Sequence, residues 1–168
     1  GTEADDVIAW VVQAKYFDGW QKLILSNDKD FYQLCDDDTI IVRPTTKEII
    51  NKSRLIDEVG IHPRNFGLAR SIVGDKSDNL VGVSRVGLAT VAKRFPFLKE
   101  DKDHTLNDVI AHAKKNKEQV KAYASVSESK DLISKNYQIM QLYTPIISAQ
   151  SRSKLSWALE NISKSVNK

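Results

Sequence analysis

Seven carboxylates stand out by type and spacing: Glu3, Asp5 and Asp6; Asp28 and Asp30; Asp75 and Asp78. Each group falls where a strand should meet a helix, or in a glycine-rich loop. In α/β sheets, ligands bind beyond the carboxyl ends of the strands. Asp28 and Asp30 directly follow the apolar run Lys22 to Ser26 and so belong at such an edge. Carboxylates gathered there repel one another unless a cation intervenes. Hard oxygen donors of this kind suit Mg²⁺ or Mn²⁺. Two such ions can stabilise both the attacking and the leaving oxygen during phosphodiester hydrolysis. Taken singly, each of the seven is also an ordinary helix cap or turn residue. Asp36, Asp37 and Asp38 are equally acidic and read as a solvated loop. Spacing and charge alone do not separate the two cases.

The elements that would position these acids can be read from periodicity. Residues 3–17 read as a buried helix, with Ala4, Val7, Ile8, Val11 and Ala14 at helical spacing and Trp10 and Val12 closing the circumference. Residues 22–26 read as a short buried strand, followed by a short helix through Leu34. Thr39 to Arg43 is a second strand, β-branched and closed by Pro44. Residues 46–59 look helical, with a competing strand signal at Ile49 and Ile50. Pro63 opens a helix to about Val73. Residues 74–87 hold three glycines and read mostly as loop, and residues 88–95 as a short helix. Helices are expected at 105–115, 117–126 and 128–142, with a short last one at 157–162. Two strands do not make a covered sheet, since sheets usually hold about five or six. Further strands lie hidden in stretches read as helical, or outside this sequence.

Composition bounds the answer. The chain has 168 residues, 41% apolar and 28% charged, with a net charge of +3. That is ordinary globular composition and excludes collagen, mucin-like stalks and wholesale disorder. Lys and Arg outnumber Asp and Glu only after residue 100, which is weak evidence for nucleic acid. No apolar run is long enough for a transmembrane helix, so no membrane partner is expected. One cysteine, Cys35, excludes a disulfide scaffold and points to a reducing, cytoplasmic compartment. Cys35 itself reads as a small buried hydrophobe. His62, His104 and His112 lack ligand spacing and read as surface residues. Trp10 and Trp157 are expected to pack, and Trp20 to be partly exposed. Lysines 114, 115 and 117 read as a solvated face that could touch a DNA backbone.

Three ordered motifs carry a resemblance to a known family. They are Glu3-Ala4-Asp5-Asp6 with Val7-Ile8-Ala9, Ser26-Asn27-Asp28-Lys29-Asp30-Phe31-Tyr32-Gln33-Leu34, and Gly74-Asp75-Lys76-Ser77-Asp78-Asn79-Leu80-Val81-Gly82-Val83. Together, over about residues 3–95, they resemble the 5′-nuclease family. That family includes bacteriophage flap endonucleases and the 5′→3′ exonuclease domain of bacterial DNA polymerase I. The resemblance implies a PIN-like α/β fold and a metal site built from Glu3, Asp5, Asp6, Asp28, Asp30, Asp75 and Asp78. It implies two divalent ions, with Glu3 and Asp5 serving mainly the first and Asp28, Asp30 and Asp78 mainly the second. Asp6 and Asp75 would be outer support. The family draws further aspartates, and an arch bearing a basic residue, from sequence ahead of the first motif. The chain therefore reads as the C-terminal half of such a nuclease, needing the N-terminal half as partner. Residues 1–45 would be strands and acids of the nuclease sheet, and 46–168 a mostly helical region.

Residues 80–94 resemble the family's helix–hairpin–helix, part of a helix-three-turn-helix spanning about 63–95. Gly82 and Gly87 allow tight turns whose amides can approach a phosphate. The next helix points its N-terminus at the same place, and Lys93 and Arg94 add sequence-independent phosphate contacts. The resemblance implies Gly82, Val83, Ser84, Arg85, Val86, Gly87, Thr90, Lys93 and Arg94 as the DNA-binding set. It also implies a K⁺ ion on backbone carbonyls, with Val83 and Val86 as the matching positions. Where the family has glycine–apolar–glycine, this chain has Arg85-Val86-Gly87. If that first position needs a positive φ, Arg85 costs about 1 kcal/mol or more, unless Arg85 is itself a phosphate ligand in a distorted hairpin. The leading expectation is a metal-dependent, structure-specific 5′ nuclease acting on branched, flapped or nicked DNA. The alternatives are a DNA-binding module or split-gene subunit without activity of its own and, more distantly, an acid-rich small-molecule hydrolase.

Overall fold

A computed structural model describes residues 3–166. Helix α1 (Ala4–Gln13) opens the chain, with Asp5 and Asp6 in its first turn, where the helix dipole favours negative charge. It is shorter and less buried than its periodicity suggests. The chain turns extended at Ala14, resumes as a 3₁₀ turn at Lys15–Phe17, and buries only Ala9. Strands β1 (Lys22–Leu25) and β2 (Thr39–Arg43) pair in parallel, and β3 (Glu48–Ile50) pairs antiparallel to β2. The third strand corrects the helical reading of 46–59. Ile49 and Ile50 pair across from Val42 and Ile41, and cross-strand packing of β-branched residues outweighs the weak helical period. Helix α2 (Lys52–Arg54) and a π-helical turn at Leu55–Val59 follow. Gly60 closes them in the left-handed region at φ 81°.

One face of the sheet is core: Ile24, Ile41 and Ile50 lie side by side and are buried. The other face is not. Leu23 is 58% exposed, Leu25 67% and Ile49 55%, so β1 is only half-buried. Its outer edge has no paired strand among the described residues.

Behind the sheet lies α3 (Pro63–Val73), opened by Pro63 at its first position. It buries Phe66, Leu68, Ala69 and Ile72. His62 is not on the surface as expected. It is 5% exposed and caps α3, its Nδ1 accepting the Arg64 amide at 3.1 Å. Past α3, Gly74–Asp75 (β4) pairs with Leu80–Val81 (β5) in a short hairpin within the stretch read as loop. Helix α4 (Leu88–Arg94) follows, then a 3₁₀ turn at Pro96–Lys99.

Helix α5 (Leu106–Asn116) packs against both α6 (Lys121–Ser127) and α7 (Lys130–Met140), with α6 on α4 and α7 on α3. His104 and His112 also leave the expected surface role, contacting the rings of Phe95, Phe97 and Tyr123 at centroid distances of 4.9–5.5 Å. The last helix, α8 (Ala149–Val166), is 18 residues long instead of one short turn. It buries only Leu159, and Trp157 is 71% exposed, not packed. No described helix is long and apolar enough to cross a membrane.

The β4–β5 hairpin fixes two glycines. Gly74 has φ 77°, and a Cβ there would overlap the Gly82 amide and lie 2.5 Å from the Leu80 carbonyl oxygen. Gly82 has the reciprocal problem with the Val73 carbonyl. Gly87 differs, with φ −96° and nothing within 4 Å of an added Cβ. Gly74→Ala is therefore expected to destabilise the chain by about 2–4 kcal/mol, and Gly87→Ala by less than about 0.5 kcal/mol. Urea unfolding measures both, and equal losses would contradict the assigned close approach.

Candidate metal centre

The acids arrive from three directions. Glu3 sits just before α1, with Asp5 and Asp6 in its first turn. Asp28 follows β1 and caps the 3₁₀ helix Lys29–Leu34, its carboxylate accepting the Asp30 amide at 2.9 Å. Ser26 fixes that corner by accepting the Asp28 amide at 3.0 Å. Asp75 and Asp78 come from the β4–β5 hairpin. Glu3, Asp5, Asp6, Asp28, Asp30 and Asp78 line one cleft of about 310 Å³, floored by Leu80, Met140 and Leu142. Asp75 borders it from behind. One carboxylate oxygen each from Asp30, Asp75 and Asp78 lies within 4.8 Å of the others.

Their environments differ. Burial, then Asp28, pushes Asp30 up to about 6, although Arg70 pulls it back. Burial, then Asp28, Glu3, Asp6 and Asp78, raises Asp5 as well. Burial opposes ionisation of Asp75 too. There the Ser77 hydroxyl and amide, at 2.6 and 2.9 Å, and Arg70 prevail and hold it below the usual range. An all-oxygen donor set with three carboxylates this close fits a hard divalent cation. A positive group already rests on two of them, since Arg70 Nη2 donates to Asp30 at 3.1 Å and Asp75 at 2.7 Å.

Three residues that sequence reasoning passed over hold this geometry. Arg70 is the first, and its signal was a cation five residues ahead of Asp75 on a mostly buried helix. Gln33 is the second. Its amide nitrogen donates to the Asp30 and Met140 carbonyls at 2.8 and 3.1 Å, and its oxygen accepts the Leu142 amide at 2.7 Å. Asn136 is the third. From α7 it donates to the Ser71 and Val81 carbonyls at 3.1 and 2.8 Å, tying the hairpin to α3. No sequence spacing marks these last two. Asp36, Asp37 and Asp38 are exposed, as expected of a solvated loop. Cys35 is buried, and burial pushes its thiol up to about 12.

Beside the cleft, the loop of residues 82–87 presents Ser84, Arg85 and Gly87 to solvent and buries Val83 and Val86. The positive φ falls on Arg85, at 62°. Gly87 supplies no turn that glycine alone could make, which corrects the expectation for it. The Val83 carbonyl accepts the Val86 amide at 3.2 Å and keeps a second lone pair. Lys93 is exposed, Thr90 and Arg94 half-buried. Arg85 and Lys93 make no ion pair among the described residues.

Residues 1–60 match a family model described as "5'-3' exonuclease, N-terminal resolvase-like domain". A 5′-3′ exonuclease of Aquifex aeolicus is 37% identical over 90 residues, covering 54% of this chain and 31% of that protein. The thermostable DNA polymerase I of Thermus aquaticus is 37% identical over 93 residues, 55% of this chain and 11% of that one. The chain thus spans about a third of the exonuclease it matches and about a tenth of the polymerase. Among solved structures, a complex of the bacteriophage T5 flap endonuclease with DNA and metal ions superposes with TM-score 0.75 at 19% identity, covering 98% of this chain and 61% of that one. A mutant of the T5 5′-exonuclease gives 0.73 at 20% identity, covering 97% and 67%. The fold is that mixed α/β, PIN-like fold.

The raised Asp30 carries a sign for pH. It ionises near 6 when folded and near 3.8 otherwise, so between those values the folded state holds more protons. The Asp30 contribution to stability therefore grows as pH falls from about 6 towards 4, and Asp5 acts in the same direction, while His62, which burial holds below its usual value, acts in the opposite one. In metal-free buffer, Asp30→Asn should weaken this slope and raise the melting temperature at pH 7 by a few degrees, at about 2–4 °C per kcal/mol for this size. Melting curves of both proteins across pH check it, and an Asp30→Asn variant with the same slope as wild type between about pH 4 and 6 would contradict it.

Proposed function

We propose, for a chain with the sequence motifs and the fold of the 5′-nuclease family, that it supplies metal-binding acids and a duplex clamp to a structure-specific 5′ nuclease. Its substrate would be branched, flapped or nicked duplex DNA. The observation that carries this reading is the convergence of Asp30, Asp75 and Asp78 within 4.8 Å, in a chain whose 82–87 loop and following helix present Arg85 and Lys93 to solvent.

In this reading Asp28, Asp30 and Asp78 would hold one divalent ion, Mg²⁺ or Mn²⁺, and Glu3 and Asp5 would contribute to a second. Asp6 and Asp75 would support from outside. Asp75 suits that role because Ser77 and Arg70 already occupy its oxygens. Divalent ions so held supply charge stabilisation at the phosphate and an activated water. The chain's own residues orient the ligands. The Asp28 cap fixes the 3₁₀ helix, Gln33 pins that helix to the end of α7, and the close approach of Gly74 to Gly82 sets the hairpin.

The loop would clamp the duplex by its backbone. Ser84, Arg85 and Gly87 face outward, Gly82, Val83 and Val86 shape the turn, and Thr90, Lys93 and Arg94 follow on α4. None of these is placed to read base edges, so binding is sequence-tolerant. A K⁺ ion on the Val83 and Val86 carbonyls would stiffen the loop. Residues 1–45, extended by β3 to Ile50, would act as part of the nuclease sheet, and the rest of the chain as the helical, DNA-holding region. The sheet would be where the N-terminal half of the nuclease docks. The open edge of β1 and the exposed Leu23, Leu25 and Ile49 form an apolar sheet surface, and such an edge invites another strand.

Two outcomes are expected. The 168-residue chain binds flapped DNA with little sequence preference, and Arg85→Ala or Lys93→Ala lowers the slope of log K against log salt by about 0.9 for each phosphate that is no longer neutralised. A preference above about 100-fold for one duplex sequence would contradict this. The chain alone cleaves a labelled 5′ flap negligibly in Mg²⁺, and cleavage appears on adding the N-terminal half of a related nuclease. Robust turnover by the chain alone, abolished by Asp78→Asn, would show instead that its acids suffice.

A further inference from the structure

One positive charge sits inside the acidic cluster. Arg70 lies on the last turn of α3, just ahead of Gly74, and its side chain is 13% exposed. Asp30 and Asp75, its partners, are equally enclosed at 12% and 13%. One nitrogen, Nη2, serves both acids, with one proton for each. Nε is buried without a hydrogen-bond partner among the described residues. The guanidinium is therefore held there by the two carboxylates and by little else polar. Asp78, the third acid of the trio, is exposed, and the Arg70 ion pairs among the described residues go to Asp30 and Asp75 instead.

We propose that Arg70 is a positioning residue that acts as an internal counter-cation, keeping Asp30 and Asp75 together without an ion and weakening divalent-ion binding by its own charge. This rests on the metal-centre reading above and says how that centre is regulated. An arriving ion would meet the exposed Asp78 first and would then share Asp30 with the guanidinium. Two like charges on one carboxylate repel, so the ion binds less tightly than three carboxylates alone would allow. Without Arg70 the same carboxylates would repel one another inside a poorly solvated corner. The two effects have opposite signs. Losing Arg70 should make the metal-free chain less stable and the ion's binding tighter. An arginine that merely packs would, on removal, loosen both.

The test uses the whole chain and Mn²⁺ itself. Calorimetric titration gives Mn²⁺ affinity, and melting curves in chelator and in Mn²⁺ give stability. Arg70→Met, which keeps the apolar stem, should melt lower in chelator, bind Mn²⁺ at least about tenfold tighter, and gain more stability from Mn²⁺ than wild type does. Arg70→Gln, neutral but still a donor, should shift both readouts the same way and decides the matter if Arg70→Met does not fold. Arg70→Lys, which keeps the charge, should stay near wild type in both. Mn²⁺ binding that is weaker or unchanged in Arg70→Met and Arg70→Gln, while wild type binds, would overturn this inference alone. No Mn²⁺ binding by wild type or any variant would overturn the metal-centre reading and this inference with it.

Discussion

Six carboxylates around a cleft of about 310 Å³ must be held together against their own repulsion. Nothing in a chain gathers like charges without cost, and burial makes it worse, because a low dielectric strengthens repulsion and removes hydration. The structure meets this constraint in two ways. It leaves Glu3 and Asp78 exposed, where water screens them. It places Arg70 between Asp30 and the neighbouring Asp75, whose side chains are only 12% and 13% exposed, where water screens poorly. The remaining strain shows in Asp30 and Asp5, both displaced upward, while Asp75, with Ser77 added, is not.

The scaffold makes that arrangement rigid from three separated stretches of chain. The carboxyl end of β1 delivers Asp28 and Asp30. The close approach of Gly74 and Gly82 leaves no room for a side chain and so fixes where the hairpin turns. The helical tail contributes through buried amides more than through acids. Gln33 bonds to the main chain at Met140 and Leu142, and Asn136 bonds to that at Ser71 and Val81. Residues far along the sequence thereby brace both the acidic cleft and the loop at 82–87. The acids and the loop stand on one braced unit, so a duplex held by that loop, as proposed, would be presented to the cleft in a set orientation.

Much of this is legible in the residues. The three acidic motifs, the strands at 22–25 and 39–43, and α3 with Pro63 at its start follow from local pattern. The failures have physical reasons. Ile49 and Ile50 suit helix and strand alike, and only the register with β2 decides between them. His62, His104 and His112 lack ligand spacing, which is correct, yet they are enclosed by a cap and by aromatic neighbours that no linear spacing reveals. Trp157 reads as a packing residue because tryptophan usually is one, but α8 meets the rest of the described chain along a narrow stripe. Arg85 is the instructive case. Its departure from glycine predicts strain at one position, and the positive φ lies at that residue. Arg70 is marked in the sequence only by its spacing from Asp75, because its meaning also depends on an acid forty residues away.

The central claim is that these acids form a divalent-metal site, and direct location of the ion tests it best. Anomalous scattering from a crystal of the chain soaked in Mn²⁺ should show a peak about 2.1 Å from carboxylate oxygens of the Asp28, Asp30 and Asp78 group, a separation typical of a small hard divalent ion. The account predicts that peak, and its loss in Asp30→Asn/Asp78→Asn. A cleft without anomalous signal, or manganese bound only at Asp36, Asp37 and Asp38, would contradict it.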